Sequence, residues 1–145
     1  MLSIATTLSG CVIAQPGNLY PIAGPVSVQN PQASFRVSIS GVFNSGTISA
    51  KQKDGEDCRG HWATVPRDDP SAAAMSEVWD SVYGKGFFQA NVLGTGMFAR
   101  ATLTGNKCTA LNVQFYSRQP GAIAPDFTTV GVAADNQGDI FKLTF

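Results

Sequence analysis

From Phe35 onward, apolar and polar residues alternate with a period of two through most of the chain. Phe35, Val37 and Ile39 are separated by Arg36, Ser38 and Ser40, the pattern of a strand with one buried and one wet face. The stretch GVFNSGTISA carries the pattern through a turn at Asn44-Ser45-Gly46, so residues 34–53 read as a hairpin. Shorter runs follow between turn residues: GHWATV (60–65), FFQANVL (87–93), FARATLT (98–104), LNVQFYS (111–117), TVGVAA (129–134) and IFKLTF (140–145). Strands repeated at this spacing predict a mainly β fold, an antiparallel small barrel or sandwich occupying residues 34–145 as a single domain. DNQGD (135–139) supplies the last turn, and Phe141, Leu143 and Phe145 share a face, which ties the C-terminus into the sheet.

One segment changes period. In DDPSAAAMSEVWDSVYG, Met75, Val78, Trp79 and Val82 recur at helical spacing, with Ser76, Glu77, Asp80 and Ser81 on the other face. Asp69 is placed to cap this helix, Pro70 to occupy its first turn and Gly84 to stop it. The expectation is one short amphipathic helix packed over an open end of the sheet. Ahead of the first predicted strand, residues 12–33 hold Pro16, Pro21, Pro25 and Pro31 together with Gly17 and Gly24. Proline withholds a backbone donor, so this segment is expected to be an extended tether, with NLYPIAGPVS able to serve as a proline-tolerant edge strand.

Composition narrows the function classes. The 145 residues are 43% hydrophobic and 14% charged, which fits one folded domain. Ten basic residues balance ten acidic ones, and the basic ones are scattered singly from Arg36 to Lys142. That arrangement offers no footprint for a nucleic acid or for a polybasic contact with a membrane. No apolar run reaches the roughly 18 to 20 residues that a membrane-spanning helix needs.

The cysteines point to a compartment. Leu8-Ser9-Gly10-Cys11 resembles the lipobox of bacterial lipoproteins, in which a leucine-like residue and two small residues precede the cysteine that receives the lipid. The resemblance implies that residues 1–10 are a signal peptide remnant, that Cys11 is lipidated, and that residues 11–33 tether the domain to the membrane. A diacylglycerol and an amide-linked chain on one cysteine supply the two-chain anchoring that stable attachment requires. Val12 stands where enteric inner-membrane lipoproteins often carry aspartate, which favours the outer membrane on its periplasmic side. Cys58 and Cys108 are then an even pair able to form a disulfide in an oxidising periplasm. Closing a loop of about 50 residues would constrain the unfolded chain by roughly 4 kcal/mol.

Candidate chemistry is sparse. Cys58-Arg59-Gly60-His61 has C-x-x-H spacing, and Cys108 could add a third ligand, but a closed zinc site needs four ligands and the chain has one histidine. No metal or cofactor is expected. A hydrolase would have to use His61 with Asp57 or Glu56, yet KDGEDC reads as a solvated turn and no G-x-S-x-G occurs. DNQGD lacks the spaced oxygens and terminal glutamate of an EF-hand, and LGTG precedes a strand instead of the helix a phosphate cradle requires. Gly60-His61-Trp62 is similar to the G-x-W of lipocalins, but that motif opens an eight-stranded barrel, whereas six predicted strands begin at or after Gly60.

Taken in order, the lipobox, NLYPIAGPVS, SGTIS, DGEDCRGHW, MSEVWDSVYGKGFF, ARATLTGNKCTALNVQFY and GVAADNQGDIFKL resemble a set of small uncharacterised proteobacterial lipoproteins. The resemblance implies an envelope location and a single-domain extent, and it carries no catalytic residues. The expected role is that of a lipid-anchored cell-envelope protein, not an enzyme, that binds or supports an envelope protein partner. Two other readings remain open: an inhibitor of a periplasmic or secreted hydrolase such as a lysozyme or protease, and a small-ligand-binding barrel.

Overall fold

A computed structural model describes residues 14–42, 44–51, 57–66, 68–95, 97–105, 110–118 and 129–145. Its strands are β1 (Ala14–Ala23), β2 (Phe35–Val42), β3 (Ser45–Lys51), β4 (Asp57–Pro66), β5 (Met97–Leu103), β6 (Leu111–Ser117), β7 (Thr129–Asp135) and β8 (Ile140–Thr144). Helix α1 (Pro25–Gln29) follows β1, and α2 (Ser76–Tyr83) lies between β4 and β5. Every strand runs antiparallel to the next, and β8 returns to pair with β1, closing the sheet into an eight-stranded barrel. Closure leaves no sheet edge to protect.

The closing strand corrects the reading of residues 11–33 as a tether or edge. Residues 14–19 of β1 pair with β2, and residues 18–23 pair with β8, so the segment is wall on both sides. The two prolines of β1 are tolerated in different ways. Pro16 sits opposite Ser38, while Pro21 sits opposite Phe141 beside a register shift between Pro21 and Ala23, where a bulge relaxes the ladder. The composition that suggests an extended linker therefore builds a strand, because neighbours on both sides supply the order that proline alone does not. The domain includes residues 14–33 as well as 34–145.

Period two sets the interior. Leu19, Val37, Ile39, Ile48, Trp62 and Phe115 point inward and are buried as one cluster with Leu103, Leu111, Val113, Phe141 and Leu143. Trp62 lies toward one end, its indole N–H donating to the Ser40 carbonyl at 3.0 Å and its ring edge-on to Phe115. Gly41 and Gly46 make room for it: a Cβ on Gly46 would stand 2.0 Å from the Ser40 oxygen and 2.7 Å from the Trp62 Nε1. The motif Gly60-His61-Trp62 thus lies on the fourth strand, and not on the first as in a lipocalin.

At the other end, Val26 of α1 packs onto the interior cluster. Its backbone N–H donates to Asp139 Oδ1 at 2.8 Å, and Asp139 is 1% exposed. Asp135 Oδ1 accepts from the backbone N–H of both Gln137 and Asp139 at 2.9 Å, so DNQGD is the expected hairpin turn, with Gly138 at φ 89°. Burial raises the Asp135 carboxyl above its ordinary range, and the neighbouring Asp139 carboxyl adds to the rise.

Two expectations about the helical segment are corrected. Helix α2 is entered through a 3-10 turn (Ala72–Met75) and stops at Gly84, φ 119°, as predicted, but it lies against the outer wall of the barrel, not over an end. Trp79 is 0% exposed, packs with Val65, Phe98, Tyr116 and Val132, and donates its indole N–H to Gln114 Oε1 of β6 at 2.9 Å. Tyr83 donates to the Gly131 carbonyl at 2.9 Å, and burial pushes its phenol up to about 12. The second correction is FFQANVL, which is a π-helical turn (Phe88–Val92) leading into a 3-10 turn. Asp80 on α2 explains it: its carboxylate collects the N–H groups of Gly86 and Phe88 at 3.1 and 3.0 Å, turning the chain back after two positive-φ glycines. Phe87 then stacks on Tyr83 while Phe88 and Val92 are buried.

Candidate functional site

The outer surface of the barrel has two unlike halves. Over β6 and β7 the outward residues Tyr116, Val130 and Val132 are apolar and lie beneath α2 and its flanking turns. Over β2 to β5 the outward residues away from Val65 and Phe98, which are buried beneath the helical segment, are mostly polar or charged and open to solvent. Pairing registers align them in rows across the strands. Ser40 faces Thr47, and Thr47 faces His61, with Thr102 opposite Asn112 continuing the row on β5 and β6. A second row runs Ser38, Ser49, Arg59, Thr104. Hydrogen bonds run along the first: Ser40 to Thr47 at 2.8 Å and Thr102 Oγ1 to Asn112 Oδ1 at 3.0 Å.

Two depressions indent this wall. One, of about 650 Å³, is lined by Ser38, Ser40, Thr47, Ser49, Arg59, His61, Thr102 and Thr104. The other, of about 580 Å³, is lined by His61, Ser71, Arg100, Thr102 and Asn112 together with apolar residues that include Ala63, Ala74 and Met75. They share His61 and Thr102, so the imidazole stands on the divide. Each has an arginine of its own. Arg59 is tied to Asp57 at 3.5 Å, a contact between exposed side chains of the kind that contributes about 0–1 kcal/mol. Arg100 donates to the Ser71 hydroxyl, which in turn donates to Asp69 Oδ1. These bonds from Ser71 hold the Asp69 carboxyl below its ordinary range, with Arg100 adding a smaller effect.

Compared with protein-family models, curated proteins and solved structures, the chain matches none. The site is therefore read from its own geometry.

That geometry separates the residues that sequence spacing had grouped. Cys58 is 0% exposed inside the barrel and His61 is exposed outside it, because residues three apart on a strand face opposite ways. The C-x-x-H spacing does not converge. Asp57 and His61 share the outer face of β4 but stand four residues apart, about 13 Å along a strand, which is beyond the reach of a proton relay. Glu56, Cys11 and Cys108 lie outside the described residues. Cys58 is disulfide-bonded, and its pairing with Cys108 belongs to the proposal below. The arginines and the hydroxyl rows were missed from sequence. Their signal was the polar phase of each alternating run, Ser38/Ser40, Thr47/Ser49, Arg59/His61 and Arg100/Thr102, which becomes a surface only once the strands are laid side by side.

Proposed function

We propose that the chain is a lipid-anchored cell-envelope protein with a binding role, held through Cys11 on the periplasmic side of the outer membrane, and that binding takes place on the outer wall of β2 to β6. The observation that carries the reading is the contrast between inside and outside. Inward positions hold packed aliphatic and aromatic side chains, which suits a structural core, whereas the polar wall presents two open depressions with hydrogen-bonding groups. A binding barrel of the carrier type keeps its interior for the ligand; here the interior is spent on stability. Cys11 precedes Ala14, the first residue of β1, by three positions, so acylation would hold the rim within about 10 Å of the bilayer. The wall would then stand upright beside the membrane.

The disulfide belongs to the same reading. Arg59 and Thr104 exchange backbone hydrogen bonds at 2.9 Å in both directions, bringing the start of β4 beside the end of β5. Cys108 follows Thr104 by four residues, a span compatible with bridging to Cys58.

Two measurements test the proposal separately. Intact mass of the protein from native membranes, with fractionation of a Cys11→Ala variant, tests the anchor: loss of membrane association supports it and unchanged association removes it. For the wall, the Cys11→Ala chain is sedimented with isolated envelope material. An Arg59→Glu/Arg100→Glu variant should lose co-sedimentation while Lys85→Glu, beyond α2, keeps it; equal binding by both variants refutes the wall as the binding face.

A further inference from the structure

Resting on the wall as the binding face, we propose that its occupant is an acidic polysaccharide, a glycan whose carboxylates sit at the two arginines while its hydroxyls meet the Ser and Thr rows. Charge is the first argument. Among the described outward residues of β2 to β5, Arg36, Lys51, Arg59 and Arg100 face a single carboxylate, Asp57. Arg36 and Lys51 are directly paired across strands, with Asp57 opposite Lys51 on its other side, so this row holds two cations to one carboxylate. The other described acids lie off these strands, Asp68, Asp69, Glu77 and Asp80 in and before α2 and Asp135 and Asp139 in the last hairpin, with Asp69 linked to Arg100 through Ser71. Among the described residues, the outward face of β2 to β5 thus carries more cations than carboxylates.

Chemistry of the wall is the second argument. Protein-binding faces carry aromatic or large aliphatic anchors that fill pockets in the partner. The apolar lining of the second depression includes Ala63, Ala74 and Met75 but no aromatic anchor, and the outward rows here carry hydroxyls, an imidazole and an amide. Such groups satisfy a ligand that is itself dense in hydroxyls.

Spacing is the third. Arg59 and Arg100 sit on neighbouring strands, and the pairing of Ala63 with Arg100 offsets them by four residues, so they stand about 14 Å apart with His61 and Thr102 between them. A polymer of acid-bearing rings can place a carboxylate at each arginine and set the rings between them over the divide. Both arginines retain donors for this. Arg59 is 75% exposed in its side chain and its link to Asp57 is long at 3.5 Å, while the contact of Arg100 to Ser71 uses one of five N–H groups.

The test is an NMR titration of the Cys11→Ala chain with oligogalacturonate, with malto-oligosaccharide as the neutral counterpart and poly-glutamate as an acidic peptide. The expected result is that oligogalacturonate shifts the amides of Thr47, His61 and Thr102, more at low salt than at high. Arg59→Gln and Arg100→Gln should each weaken binding roughly tenfold, the effect of losing one charge-assisted hydrogen bond. Wall shifts of equal size with malto-oligosaccharide would overturn the acidic occupant while leaving the wall as the binding face. Tighter binding of poly-glutamate would overturn the saccharide. Shifts confined to α2 and its turns, or absent with all three probes, would overturn both the occupant and its placement; co-sedimentation of the wild-type wall with envelope material would then show which of the two readings had failed.

Discussion

Replacing Gln114 with leucine tests whether α2 is a built part of the barrel wall. Gln114 is 2% exposed and Trp79 is 0% exposed, and the indole N–H reaches Gln114 Oε1 at 2.9 Å. Leucine has nearly the volume of glutamine and suits the apolar surroundings of Val65, Phe98 and Val132. Burying the extra hydrocarbon stabilises by about 0.8 kcal/mol per methylene. Against that, the indole N–H loses its acceptor where water does not reach, which costs about 1–3 kcal/mol. The polar penalty is the larger, so Gln114→Leu should destabilise by about 1–2 kcal/mol. Trp79→Phe removes the donor and opens a small cavity, for a loss of about 2–4 kcal/mol. The double variant strands neither group, so its loss should fall short of the sum by about 1–2 kcal/mol. Urea unfolding followed by far-ultraviolet circular dichroism measures all three. With an m value of about 2 kcal/mol/M, a 2 kcal/mol loss moves the midpoint by about 1 M. A Gln114→Leu midpoint at or above that of the parent, with additive losses in the double variant, would show that this bond is not made and that α2 does not seal the wall.

Three further outcomes follow from the same structure. Gly46→Ala, whose Cβ would sit 2.0 Å from the Ser40 oxygen, should cost more than about 2 kcal/mol in thermal unfolding, whereas Gly94→Ala, with nothing within 4 Å, should change stability by less than about 0.5 kcal/mol. Because burial raises Asp135 in the folded state, its contribution is fully present below the unfolded carboxyl value and is lost as pH rises through the folded one; Asp135→Asn should abolish that fall in a series of melts across pH. Asp80 is lowered by the N–H groups of Phe88 and Gly86, so its contribution runs the other way, lost as pH falls through the folded value, and Asp80→Asn should flatten the acid limb of the same series.

The fold was legible in the sequence wherever a strand has one wet face. IFKLTF holds β8, where alternation reports burial directly, and LNVQFYS is β6 at its predicted bounds, 111–117, although α2 also covers Gln114 and Tyr116 on its outer face. It failed where the environment departs from that condition. β1 reads as a linker since its prolines mask the alternation of Gly17, Leu19 and Pro21, which face the core. FFQANVL reads as a strand since Phe87 and Phe88 bury against different neighbours, and the Asp80 carboxylate that turns this segment comes from a helix seven residues upstream. The site was less legible than the fold. His61 drew notice as the one histidine, but its neighbours on the wall, Thr47 and Thr102, lie on adjoining strands and are far away in sequence.

The placement of α2 bears on where binding can occur. A closed barrel of this size must fill its interior to be stable, and Trp62, Phe115 and Leu143 do so, which under the proposed reading directs recognition to the outer surface. Covering part of that surface with Trp79, Phe87 and Tyr83 permits Tyr116, Val130 and Val132 to be apolar on both phases of their strands, adding a second core outside the first. The second core offsets what the polar wall gives up, since rows of serine and threonine bury little. Stability is thus concentrated on the helical side and hydrogen-bonding capacity on the other. A rigid wall of short side chains loses little conformational entropy when it binds, so weak individual contacts from hydroxyls and two arginines can add to useful affinity over an extended ligand. The same economy would not serve a small ligand, which could reach only one depression and one arginine at a time.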